Sequence, residues 1–156
     1  MSFQVTLLTA ITLASTICYL GLFVLVLLGS PSRGANRIFA FYLGASIVWN
    51  LGGFMMFADN QRALLWNKVL VLGSLGVFFT FFHFVLVFLN VKGKRLLVYL
   101  GYGLFVVLGG LNLGGLVIRD VTITQGTFRY EMGPAIIPMF FAGYTYLGLS
   151  MFYLLQ

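Results

Sequence analysis

The amino-acid sequence predicts an all-α integral membrane protein, a bundle of about five transmembrane helices with a short outer β-hairpin between helices 4 and 5. Three observations carry that prediction. Of 156 residues, 61% are hydrophobic and only 8% are charged, against roughly 25% charged in a soluble domain. Five apolar blocks each approach the ~20 residues that cross ~30 Å of hydrocarbon. The charged residues fall between those blocks or at their edges. Residues 1–156 read as a single transmembrane domain.

The first span, residues 5–28, carries no charge. It lacks a basic start and a clear small-x-small cleavage site, so it reads as a retained helix and not as a signal peptide. The second, residues 38–57, lies between Arg37 and Asp59. The third, residues 68–89, starts at Lys68 and stops before Asn90. The fourth, residues 96–118, is closed by Arg119 and Asp120. The fifth, residues 134–155, opens on Pro134, whose missing N–H suits a first helical turn. Residues 121–130 have another rhythm. Val121-Thr122-Ile123-Thr124 and Thr127-Phe128-Arg129-Tyr130 alternate around Gln125-Gly126, which is a hairpin pattern. A lone hairpin is marginal in water, so this flap has to lean on helix ends or on a partner.

Direction follows from the basic residues. With the N-terminus outside, the inner loops hold Arg33, Arg37, Lys92, Lys94 and Arg95 and no acid. The outer segments hold Arg62, Lys68, Arg119 and Arg129 with all three acids, Asp59, Asp120 and Glu131. This places the C-terminus inside. The net charge of +6 is spread thinly between apolar blocks; it reads as topology signal and headgroup contact, with membrane lipids as partners and no nucleic acid. Cys18 is the only cysteine, so no intramolecular disulfide forms.

In lipid, helices meet through small and polar residues. Gly73 and Gly76, with Thr80 and His83, make such a stripe on the third span. Tyr42, Ser46, Asn50 and Gly53 make one on the second, and Gly143, Tyr146, Ser150 and Tyr153 on the fifth. On the fourth the stripe is Tyr99, Gly103, Val106, Gly110 and Gly114. His83 is the only histidine and lies within a span, which makes it a candidate polar switch or cofactor ligand. Tyr42 and Tyr102 fall at similar depth and either can share a hydrogen bond with it. Trp49, Asn50 and Asn112 fall in the outer half and are candidates for signal or ligand recognition, set against ordinary interhelical bonding and an aromatic belt. Asp59 and Arg62 read as a solvated pair. No metal-ligand cluster, phosphate loop or nucleophile–base set is present in the sequence, so no enzyme is expected.

The order of several segments resembles the N-terminal seven-transmembrane sensor region of bacterial membrane histidine kinases. The matching stretches are Asn36-Arg37-Ile38-Phe39-Ala40-Phe41, Val48-Trp49-Asn50-Leu51-Gly52, Trp66-Asn67-Lys68, Phe81-Phe82-His83-Phe84-Val85-Leu86-Val87-Phe88 and Glu131-Met132-Gly133-Pro134. The resemblance implies a bacterial cytoplasmic membrane, with the N-terminus outside and the C-terminus and an output domain in the cytoplasm. It covers the first five helices only, with no phosphoacceptor region and no ATP-binding domain; His83, a membrane residue, does not replace the former. The apolar run up to Gln156 reads as a fragment of a longer protein or as a shortened relative that kept the scaffold.

The expectation is therefore a non-enzymatic, sensor-like membrane module working with a signalling output domain or other subunits. The alternative is a structural or pigment-associated accessory subunit of a multisubunit membrane complex. The sequence requires no cofactor; in the alternative, a porphyrin-type pigment is ligated by His83, and the 17% aromatic content supplies surfaces for it.

Overall fold

A computed structural model describes residues 3–29, 34–124 and 127–156. In chain order the elements are α1 (Phe3–Gly29), α2 (Gly34–Ala58), a single 3-10 turn (Asn60–Arg62), α3 (Ala63–Phe88), α4 (Arg95–Leu113), β1 (Ile118–Thr124), β2 (Thr127–Met132) and α5 (Ile136–Leu154). All five α-helices are long and apolar enough to cross a membrane. Arg33 and the Gln125-Gly126 turn lie outside the described residues.

The axis is α3. It packs against α2, α4, α5 and β1, whereas α1 lies against α2. Its buried side chains include Val71, Leu75, Phe79, Phe82, Val85 and Leu86. The α2–α3 seam is closed by small residues. A Cβ on Gly52 would come within 2.6 Å of the Leu70 backbone nitrogen, and one on Gly73 would overlap the Trp49 backbone nitrogen. A Cβ on Gly76 would meet the Ala45 methyl at 2.9 Å. The two backbones are therefore in direct contact over about two turns, as small-residue packing in lipid allows.

On the other side of α3, the Tyr146 ring from α5 stands edge-on to Phe79 and Phe82, with centroids 4.8 and 5.1 Å away. Its hydroxyl donates to the Leu97 carbonyl of α4 at 2.8 Å. Gly101 makes room for it: a Cβ there would lie 2.8 Å from the ring. Gly143 gives the same clearance to Phe78.

The face that α4 turns inward differs from the expected one. Gly103 and Gly110 meet nothing, and Tyr99 and Val106 are exposed. The buried side is Gly101, Leu108, Gly109 and Asn112. Two small-residue stripes compete on this helix, and the one that also carries the polar Asn112 is the one that packs. Gly114 does not join helices either, because it ends one. Leu116 N–H donates to Leu111 O at 2.9 Å and Gly115 N–H to Asn112 O at 3.0 Å. With Gly115 at φ +76°, this is a Schellman stop. Asn90, at φ +55°, ends α3 the same way, with Val91 N–H on Leu86 O at 2.9 Å.

That early stop moves the hairpin. Its strands run from Ile118 to Met132, wider than residues 121–130, and α4 ends at Leu113 instead of reaching residue 118. Pairing is antiparallel, with Val121 opposite Tyr130 and Ile123 opposite Phe128, and a bulge between Ile118 and Asp120. The flap leans on the helix ends. Val117, Ile118 and Val121 are buried, and Phe128 stands edge-on to Phe57 of α2 at 4.6 Å. Gly133 N–H and Ala135 N–H donate back to Val117 O and Leu116 O. Helix starts also shift: α2 begins at Gly34 instead of Ile38, α3 at Ala63 instead of Lys68, and α5 at Ile136 instead of Pro134.

The seam predicts opposite signs for two glycine substitutions. Gly73→Ala puts a methyl into backbone that no rotamer change relieves, and should cost about 1–3 kcal/mol of unfolding free energy in mixed micelles. Gly110→Ala faces open space on a helix and should be neutral or stabilising by up to about 1 kcal/mol. Equal effects at the two positions would contradict the packing described here.

Candidate functional site

Helix α4 bears on the axis through apolar packing, as of Phe105 edge-on to Phe79, and through discrete polar contacts, and the polar contacts define the site. At the hairpin end, Asn112 is fully buried and its amide Nδ2 donates to the Lys68 carbonyl of α3 at 2.9 Å. Lys68 returns the contact: its Nζ donates to the Leu113 carbonyl at 2.9 Å. This carbonyl is one of those that a helix C-terminus leaves without an intrahelical donor, and a cation is favourable there. The link explains why α3 continues upstream of Lys68. The lysine is not the edge of the helix, and its amine reaches α4.

Toward the opposite end, His83 Nδ1 and the Tyr102 hydroxyl are 3.0 Å apart, with the rings nearly perpendicular. Of the two tyrosines expected at that depth, Tyr102 is the partner. Tyr42 instead lies against Phe39 and Phe81. Behind this pair, a cavity of about 760 Å³ opens between the end of α3 and the start of α4, and His83 lines it.

The three residues expected to form an outer recognition group are not brought together. Trp49 is 42% exposed, and its backbone forms the floor of the α2–α3 seam. Asn50 donates to the Ser46 carbonyl one turn back on its own helix, at 2.9 Å. Only Asn112 spans two helices. Helical phase turns Asn50 away from the Ala45–Gly52 face that meets α3; Trp49 lies on that face, but its backbone fills the seam at Gly73 and its side chain is left exposed. Asp59 and Arg62 are paired at 4.0 Å, and Asp59 also accepts from the Trp66 indole at 3.1 Å.

Two residues carry more of the structure than the sequence pattern indicated. Tyr146 joins three helices, as described above. Asn67 is 3% exposed on α3, with its amide nitrogen 3.8 Å from the Met56 sulfur. The Oδ1 atoms of both Asn67 and Asn112 are buried without a hydrogen-bond partner among the described residues. Such atoms are rare and costly in a folded chain. The Trp66-Asn67-Lys68 run was the available signal, since three consecutive residues with polar groups stand near the start of a helix whose other polar side chains, Ser74, Thr80 and His83, are isolated.

The contrast between the two asparagines is testable by unfolding in mixed micelles. Asn112→Ala breaks an interhelical bond and should cost about 0.6–1.7 kcal/mol, the range for such bonds in membranes. Asn50→Ala removes a bond within one helix and should stay within about 0.5 kcal/mol of the parent. The reverse order would contradict the assignment of Asn112 as the link.

No protein-family model, curated protein or solved structure matches this chain, so function has to be read from the side chains themselves.

Proposed function

We propose that the chain is a sensor-like, non-enzymatic membrane module in which α4 is the moving part. A signal recognised at the hairpin end displaces α4 against the α2–α3 pair, and the displacement reaches a partner or output domain at the opposite end. The observation that carries this reading is the contrast between the two seams of α3. Against α2, backbone meets backbone at Gly52 and Gly73. Against α4, the polar links are Asn112 to Lys68, Lys68 to Leu113 and His83 to Tyr102.

Several features support a helix that shifts as a unit. It is bounded by left-handed residues, Asn90 and Gly93 before it and Gly115 after it, and short turns of this kind take up rotations. It runs through the Gly115 turn directly into the hairpin, so a load on the flap acts on its end. The buried, unpaired Oδ1 atoms of Asn67 and Asn112 supply acceptors for a hydrogen-bond donor at the hairpin end. The basic loops at the opposite end and the acids at this one support an outward-facing hairpin in a bacterial cytoplasmic membrane. The resemblance to the membrane input region of histidine kinases points to the same direction of signalling.

A second reading, an accessory subunit of a larger membrane complex, has its own support. No described side chain of α1 is buried, and His83 lines a cavity. An absorption spectrum of protein purified in mild detergent separates the two. Bound pigment lost in His83→Ala, with stoichiometric further subunits, would replace the sensor reading.

The motion itself is measured by distances between spin labels in liposomes. Val48 on α2 and Val106 on α4 are exposed and take labels as Val48→Cys and Val106→Cys in a Cys18→Ser background. Two distance populations are expected, with weights that shift several-fold on Asn112→Ala, since ~1 kcal/mol is about a fivefold change. One narrow population unaffected by that substitution would contradict a mobile α4.

A further inference from the structure

The cavity beside His83 has a mouth of one sign and a wall of another character. Its rim carries Lys92, Lys94 and Arg95, and its wall includes Val87, Val91 and Val98. The turn brings the three cations together: Asn90 at φ +55° and Gly93 at φ +80° fold the chain back between α3 and α4. All three cations are exposed, and none has an ion pair among the described residues. The chain has only three acids, and they lie elsewhere. Asp59 is paired with Arg62 and Glu131 with Arg119, while Asp120 is in β1 opposite Glu131. The charge around the mouth is therefore not neutralised within the protein.

We infer that this cavity is a binding site for the phosphate of an anionic phospholipid. A phosphodiester at the rim meets three cationic side chains, and the glycerol and first acyl carbons lie along the valine wall. Basic pockets between membrane helices suit acidic headgroups in this way. The apolar wall is the reason to assign a lipid over a free phosphate ion, which would gain only from the rim. The site lies at the base of α4, so an occupying lipid bears on the helix given the moving role above. The inference itself does not depend on that role, because it rests on the cavity and its charges alone.

Lipid adducts retained by the full-length protein in neutral detergent, read by native mass spectrometry, test it. Phosphatidylglycerol and phosphatidylcholine with identical acyl chains are the probes, with inorganic phosphate at matched ionic strength as the soluble competitor. Phosphatidylglycerol should be retained preferentially, and each of Lys92→Gln, Lys94→Gln and Arg95→Gln should weaken it about fivefold. Arg62→Gln, at the other end of the bundle, should leave it unchanged. Val87→Trp, which fills the wall without altering charge, should also reduce retention. No preference for phosphatidylglycerol would overturn the site, as would equal loss in Arg62→Gln or unchanged retention in Val87→Trp. Displacement by millimolar inorganic phosphate would overturn the lipid assignment.

Discussion

Backbone contact between α2 and α3 is the constraint on which the rest of the molecule depends. Apolar side chains gain little by leaving lipid for a protein interior, so a helix pair in a membrane is held by close van der Waals approach and a few polar bonds. At Gly73 the neighbouring backbone takes the space of a side chain, and at Gly52 the same occurs from the other helix. Once the pair is joined, α3 presents its remaining sides to α4, α5 and the hairpin. The buried Phe79 and Phe82 then become the surface on which Tyr146 docks.

The polar groups divide the bundle into a fixed part and an adjustable one. Several hydroxyls within the spans bond to carbonyls of their own helices, as Ser46, Thr80 and Ser150 do, and so leave the helices free to choose partners by shape. Bonds between helices gather on α4: Asn112 and Lys68 at one level, His83 with Tyr102 and Tyr146 with Leu97 toward the other. Each is a directed contact that an alternative partner can replace. A backbone seam cannot be exchanged in this way without separating the helices.

Much of this was legible in the sequence, and the failures have physical causes. The five apolar blocks and the alternating hairpin strands are strong periodic signals, and they lead to the observed order of elements. On α3 the small residues Gly73 and Gly76 indicate the packed face, because the helix offers few competing stripes. On α4 they mislead, since Gly101 and Gly109 lie on one face and Gly103 and Gly110 on another. Composition alone cannot choose between them; Asn112 can, because a buried amide requires a partner. Reading Gly110 and Gly114 as a packing motif also concealed the Gly114-Gly115 stop and extended the fourth span into the first strand. The recognition residues failed for a similar reason. Trp49, Asn50 and Asn112 fall in the same half of the bundle, but that does not fix what a side chain meets, and only the Asn112 side chain bonds to a neighbouring helix. The role of Tyr146 depends on the space that Gly101 provides on a different helix, which no local pattern reveals.

The central claim, a fixed α2–α3 pair carrying an adjustable α4, is tested most directly by hydrogen–deuterium exchange of the full chain in lipid nanodiscs. Amides of α3 around Gly73 should be the slowest in the molecule. Those of α4 from Tyr102 to Asn112 should exchange at least about tenfold faster and with a common rate, the behaviour of a segment that opens as one cooperative unit. Exchange in α4 as slow as at Gly73 would show that the two seams are equally firm, and the account would fail.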